Sequence, residues 1–344
     1  MSPGSLAGLP KAHLHLHFTG SMRHSTLLEL AAGHGVRLPE GLREGWPELV
    51  RHGLDATDER GWFRFQRLYD AARAVVRTEA DVRRLVTEAA QDDQREGSGW
   101  LEIQVDPSGY AALFGGVTAF TDLVLDAVRE AATATGMGMA VVIAANRTRH
   151  PLDARTLARL AAQYAGRGVV GFGLSNDERR GIIEEFAPAF AIARRAGLLS
   201  VPHGGELLGA HTVRTCVDVL GADRVGHGVR AVEDPVLLER LAAAGTTLEV
   251  CPASNVALGV WARPEDVPLR VLRDAGVPVA LGADDPLLFG SRLVDQYELA
   301  RSVHGFEDAA LAELARDSIR SSAAPSDIRE RLLRGVDAWL ARSA

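Results

Sequence analysis

Cysteine is scarce in this chain, which has Cys216 and Cys251 and no others. Two thiols make no disulfide framework, so a reducing compartment, the cytoplasm, is the expected location. Basic runs are missing too. The formal net charge is −7, and no cluster of positive side chains is there to follow a phosphate backbone, which argues against nucleic acid as a main partner. No apolar run approaches the roughly 20 residues that cross a bilayer, so no membrane partner is expected. Met1–Leu9 has neither the basic nor the apolar region of an export signal. Internal repeats and low-complexity tracts are absent as well. What remains is 47% hydrophobic and 24% charged, ordinary for a globular chain long enough to bury a large core. Oligomeric state, monomer or dimer, stays open.

Short apolar segments alternate with longer amphipathic ones almost from end to end. Strands are expected at 12–18, 99–105, 138–145, 169–174, 198–203, 224–228, 246–250 and 277–281. Helices are expected between them at 119–132, 154–164, 184–196, 210–220, 235–244 and 268–275, and after them at 292–303, 308–318 and 325–340. One stretch, about 21–97, interrupts the alternation and reads as helical pieces at 25–34, 58–76 and 79–96. Alternating strands and helices imply a parallel sheet covered by helices. Eight such units imply closure into an α/β (β/α)8 TIM barrel. The expectation is one barrel domain over 1–344, with a helical insertion after strand 1 and extra C-terminal helices.

In such barrels reactive groups gather at the carboxyl ends of the strands. The unusual polar residues obey that rule. His15 and His17 close the first strand, and residues two apart share a face. His203 ends the fifth strand, His227 the sixth, and Asp284 and Asp285 follow the eighth. Three imidazoles and one carboxylate, from His15, His17, His203 and Asp284, suit a single zinc ion with a position left for water. Such an ion brings the pKa of water from about 15.7 toward 7. His227 is placed to take the proton of that water or to orient it. Glu206, three residues past His203, is expected to have a raised pKa in a closed site and to act as an acid. His13, deeper in the strand, reads as support or core packing. Cys251 borders the site as a small buried hydrophobe. His24, His34, His52, His150, His211 and His304 are given no chemistry.

Taken together, Pro10–His17, His203–Glu206, Arg224–Gly228, Cys251–Asn255 and Gly282–Leu287 resemble the adenosine deaminase family of metal-dependent amidohydrolases, over nearly the whole chain. The resemblance implies that His15, His17, His203 and Asp284 bind zinc, that Glu206 protonates purine N1, and that His227 orients the attacking water. It implies that Asp285 meets N7 and also touches that water. Ser175 and Asn176 fall where the family uses backbone near purine N3. A helical lid after strand 1 is implied, to which Trp62, Phe63 and Phe65 contribute unless they are ordinary helix packing. Adenosine deaminases proper usually carry Leu-Asp-Gly after the second histidine, the Asp holding the ribose 5′-hydroxyl, and adenine-type relatives often carry Glu there. This chain has Phe18-Thr19-Gly20. Threonine cannot anchor a hydroxyl as a carboxylate does.

Hydrolytic deamination of a 6-aminopurine is therefore the expected reaction. By resemblance, adenosine leads as substrate. A 5′-modified adenosine such as aminodeoxyfutalosine comes next because of Thr19, and free adenine is third. Two rivals stand beside it: a barrel amidohydrolase cleaving another C–N bond, and a metal-binding barrel without turnover.

Overall fold

A computed structural model describes residues 4–46 and 56–343. Part of the insertion, and His52, lie outside the described residues. The eight strands are β1 (Lys11–His17), β2 (Ser98–Val105), β3 (Gly138–Asn146), β4 (Val169–Ser175), β5 (Leu199–Gly204), β6 (Arg224–His227), β7 (Thr247–Val250) and β8 (Val279–Leu281). They pair in parallel in the order β1 to β8. Closure comes at Leu16 and Asp284, which bridge β1 to the segment after β8. There Asp284 N donates to His15 O at 3.0 Å and His17 N donates to Asp284 O at 3.0 Å. Closure of the barrel and convergence of His15, His17 and Asp284 are thus one event.

Helix ends are set by local chemistry. Thr78 and Asp81 form a reciprocal capping box at the start of Glu79–Arg95, and Asp58 accepts from Gly61 N at the start of Glu59–Arg73. The helix expected at 184–196 is split into a 3-10 turn, Ile183–Phe186, and an α-helix, Ala187–Arg195. Pro188 is the cause, because it has no N–H to bond back across that junction. Short helices at Glu40–Glu44, Pro252–Ala257 and Pro286–Phe289 were not foreseen, since each is too brief to show a periodicity. The C-terminal helices close the lower end of the barrel. Ser318, on Asp308–Ser321, accepts from Ala12 N, and Trp339 donates to Ser5 O.

The barrel interior is charged in its lower layer. Arg224, on β6, donates from Nη2 to Glu102 on β2 at 2.5 Å and from Nε to Glu249 on β7 at 2.7 Å. Glu102 and Glu249 are fully buried and Arg224 nearly so. Trp100 Nε1 and Ala323 N also donate to Glu102. Burial of this kind is tolerable only while every partner is present. The variant Arg224→Met is therefore expected to lower unfolding free energy by about 3–5 kcal/mol, leaving two carboxylates without a cation. Urea denaturation followed by circular dichroism measures it, and a loss under about 1 kcal/mol would contradict the pairing.

Candidate active site

Strand ends deliver the site residues one by one. His15 and His17 arrive from β1, His203 from β5, His227 from β6, and Asp284 and Asp285 from the turn after β8. Among the described residues, three non-glycine residues have positive φ: Asn176 at 82°, His227 at 60° and Asp284 at 61°. All three line the same cavity. Backbone strain of this kind persists only where surrounding structure enforces it, and it collects at functional sites. Close approach is also built in. A Cβ on Gly226 would lie 2.9 Å from the ring of His15 and 3.0 Å from that of His203. At Gly20 a Cβ would overlap the carboxylate of Asp285.

The four predicted metal donors meet. His203 Nε2 is 3.3 Å from His17 Nε2. Asp284 Oδ1 is 3.2 Å from His17 Nε2 and 3.5 Å from His15 Nε2. Bonds of about 2.0–2.2 Å to one tetrahedral ion place neighbouring donors roughly 3.3–3.5 Å apart. His15 Nε2 makes no hydrogen bond although it is buried. The donor set and its spacing therefore fit a divalent cation. Burial alone would lower the pKa of His15, but Asp284 and Glu249 outweigh it and raise the value to about 10. A proton on His15 and a bound cation answer the same surplus of carboxylate charge.

Around these donors lies a layer of which the sequence pointed only to His13 and Cys251. His15 Nδ1 pairs with Glu249 Oε2 at 2.9 Å, which fixes the ring so that Nε2 faces the cluster. His13, expected as support, accepts from Ala283 N at 3.0 Å and donates through Nδ1 to buried Asp93. It thereby braces the turn that carries Asp284. Ser254 donates to Asp284 Oδ2 at 2.5 Å. Cys251 Sγ lies within 4.8 Å of the donor atoms of His15 and Asp284, so it borders the cluster as expected.

Burial pushes the carboxyl of Glu206 well above its usual range, helped by Asp284 and Glu178, which favours its acid form. Its Oε1 is 3.6 Å from His227 Nε2. Desolvation lowers His227 to about 3, so its ring is neutral. Asn255 Nδ2 lies 3.3 Å from His227 Nδ1 and donates to it, which leaves the proton on Nε2, facing the cavity. Burial and Asp284 raise Asp285 likewise, and Asp285 Oδ1 has no partner. Glu206 sits in a turn held by another carboxylate. Glu178, after β4, accepts from the backbone N of Gly205, Glu206, Leu207 and Leu208 at 2.6–3.1 Å and from Thr212 Oγ1 at 2.6 Å.

The cavity takes in about 720 Å³ when the open space at its mouth is counted. Thr19, Phe65, Ser175 and Asn176 line it, as the sequence predicted, together with Trp62. Phe63 does not, because it turns outward and is 62% exposed. Lining residues to which the sequence did not point include Gln66, Tyr69, Arg73, Gln104, Asp106 and Tyr110. Tyr110 and Thr19 share a hydrogen bond of 2.6 Å between their hydroxyls.

The family model named Adenosine deaminase matches residues 10–339. A Streptomyces virginiae protein with the provisional name adenosine/adenine deaminase is 68% identical, covering 96% of this chain and 97% of that protein. The adenine deaminase of Rhizobium johnstonii is 35% identical, covering 94% and 98%. Among solved structures, adenine deaminase from Arthrobacter aurescens superposes with a TM-score of 0.87 at 30% identity, covering 97% and 99%. An amidohydrolase from Burkhoderia ambifaria, solved with bound zinc, shares the fold with a TM-score of 0.85 at 24% identity, covering 98% and 93%. No described helix is long and apolar enough to cross a membrane.

Removing the Glu178 carboxylate strips the acceptor from a whole turn. Glu178→Ala is expected to lower stability by about 2–4 kcal/mol, since each buried unsatisfied donor costs roughly 1–3 kcal/mol. Hydrogen exchange should quicken at the amides of residues 205–208 before it does elsewhere. Unchanged exchange there would refute the assignment.

Proposed function

This chain belongs to the adenosine deaminase family, hydrolases acting on C–N bonds, and from that premise we propose that it removes the 6-amino group of free adenine, with zinc at the His–Asp cluster, to give hypoxanthine and ammonia. The observation that carries the choice of substrate is the bond between Thr19 Oγ1 and the Tyr110 hydroxyl. Tyr69 interacts with the same threonine hydroxyl. At the place where a ribose hydroxyl would need a carboxylate, the protein offers a neutral group already satisfied by its own side chains. A free base needs no such anchor. The relatives and the solved neighbour named adenine deaminase support the same reading. Adenosine, first by resemblance alone, therefore falls behind adenine. A 5′-modified adenosine is the second reading, favoured by Arg73 and Asp106 in the outer wall of the cavity.

The proposed roles follow from protonation states. His15, His17, His203 and Asp284 would hold the zinc, which would supply acidification of water and charge stabilisation at neutral pH. Glu206, whose acid form burial favours, donates to ring N1 as C6 becomes tetrahedral. Asp285, whose acid form burial and Asp284 favour, donates to N7, an acceptor that an ionised carboxylate would repel. His227 presents Nε2–H to the cavity, so it steers the attacking oxygen and does not take its proton. Having lost its proton, Glu206 is a carboxylate 3.6 Å from His227 Nε2, placed to collect the proton given up by water, to pass it to the leaving amine, and to take the C6 hydroxyl proton as ammonia departs, which restores its acid form. Phe65 and Trp62 keep bulk water away from these transfers.

Steady-state kinetics on the zinc-loaded protein should give kcat/KM for adenine at least about a hundredfold above adenosine and above a 5′-modified adenosine, a difference of some 3 kcal/mol. A preference for either nucleoside overturns the substrate reading. Elemental analysis should find one zinc per chain, falling below about a tenth of that in Asp284→Ala, and iron or manganese in its place would overturn the metal. Glu206→Gln should retain zinc yet lose about 10²–10⁴ in kcat, as expected for removal of a positioned acid. Retained turnover in that variant would remove Glu206 from the mechanism.

A further inference from the structure

Gln104 stands apart from every other polar residue at this site. Its side chain is 2% exposed, and neither Nε2 nor Oε1 has a hydrogen-bond partner. It lines the cavity on β2, in register with His17 on β1 and Val142 on β3. Two residues earlier on that strand, Glu102 points into the barrel to meet Arg224. Strand alternation sends Gln104 the same way, one layer nearer the mouth. Buried amides of native proteins are normally paired on both atoms. An amide left bare inside a substrate cavity is one whose partner arrives with the substrate.

The position of β2 says which part of a purine that is. With eight strands in order, β2 lies across the barrel from β6, which carries His227. Glu206 and Asp285 enter from β5 and β8. A purine that turns C6, N1 and N7 toward those three residues directs its opposite edge, N3 and N9, toward the side of the barrel from β2 to β4, where Gln104, Ser175 and Asn176 line the cavity. An amide presents a donor beside an acceptor, the pattern that reads adenine bidentately at N6 and N7 in nucleic acids. The N3–N9 edge offers the same complement: N3 accepts, and N9–H donates. That second donor exists only in the free base, because glycosylation replaces it.

We propose that Gln104 is the residue by which the site selects a free purine base, Nε2 donating to N3 and Oε1 accepting from N9–H. The inference rests on the adenine reading and sharpens it. An N9-substituted purine loses one bond, leaves Oε1 buried without a donor, and pushes its substituent against the strand.

The test compares adenine, 9-methyladenine and 3-deazaadenine, in the unaltered enzyme and in Gln104→Leu, with melting temperatures to confirm that the variant is folded. In the unaltered enzyme each analogue should fall about 10- to 100-fold below adenine in kcat/KM, the discrimination expected of a bidentate pair. In Gln104→Leu adenine should drop by a similar factor and the gap to 3-deazaadenine should close to about threefold or less. Gln104→Glu, which keeps the acceptor for N9–H and sets a carboxylate against N3, should be the poorer enzyme on adenine and recover on 3-deazaadenine. A folded leucine variant with both gaps intact overturns the role of Gln104 while leaving adenine as substrate. Should Gln104→Leu fail to fold, equal rates on all three purines in the unaltered enzyme overturn it equally. A nucleoside preferred to adenine overturns the reading beneath it as well.

Discussion

Glu249 holds the site from below. Its carboxylate fixes the ring of His15, which must point Nε2 at the donor cluster. A fully buried carboxylate is itself tolerable only because Arg224 pairs with it. Arg224 in turn needs Glu102, and Glu102 needs Trp100 and the Ala323 amide. The sequence of partners runs from the lower end of the barrel to the reacting layer without touching water. Two carboxylates share one guanidinium, so the column carries surplus negative charge toward His15. That is the sign a site for a cation needs. The pair Asp93–His13 does comparable work at the turn after β8, where His13 accepts from Ala283 next to Asp284.

Strain shows where this support is used. Asn176, His227 and Asp284 each hold a backbone conformation that L-residues avoid, at a cost of order 1–3 kcal/mol apiece. Each is held by a specific neighbour. Asn176 bonds to Gln66 and to the following amide. Asn255 and Ser254, one turn after β7, meet His227 and Asp284. The left-handed turn at Asp284 also lets its own N–H and C=O pair with β1 while its side chain faces inward. A relaxed backbone there would give up either the barrel seam or the donor.

Much of this was legible in the sequence, for definite reasons. Strand ends are marked by glycine and proline, and histidine and aspartate at those ends are conspicuous against an apolar background. That sufficed for His15, His17, His203, His227, Asp284 and Glu206. Boundaries moved by a residue or two, as at β1, where Phe18 leaves the strand. The supporting residues escaped because their partners are distant in sequence: Glu249 is 234 residues from His15 and Asp93 is 80 from His13. A signal did exist. Glu102 and Glu249 each stand alone inside apolar strands, and a lone charge there must have a buried partner. Glu178 gave no such signal, because its neighbours Asp177 and Arg179 read as an ordinary polar turn. The bond between Thr19 and Tyr110 joins residues 91 apart and has no local trace.

The reactive end and the substrate end of the cavity are built by different rules. The catalytic and metal-binding candidates are seven residues at the ends of β1, β5, β6 and β8, braced by buried partners such as Glu249, Asn255 and Ser254, so a change among these leaves a charge or donor unsatisfied. The outer wall comes largely from one helix, Glu59–Arg73, which presents Trp62, Phe65, Gln66, Tyr69 and Arg73 at intervals of three, one, three and four residues. That spacing is one face of a helix, and Phe63, off that face, points to solvent. Substitutions along such a face alter the cavity without disturbing the column beneath it. A family can thus keep one deamination chemistry while its members exchange substrates. Thr19 lies where these two regimes meet, close enough to His17 to be fixed in place and near enough to Tyr69 and Tyr110 to be spent on them. On the proposed reading, selectivity for a free base has two sources: Gln104 calls for N9–H, and Thr19 leaves ribose no free group.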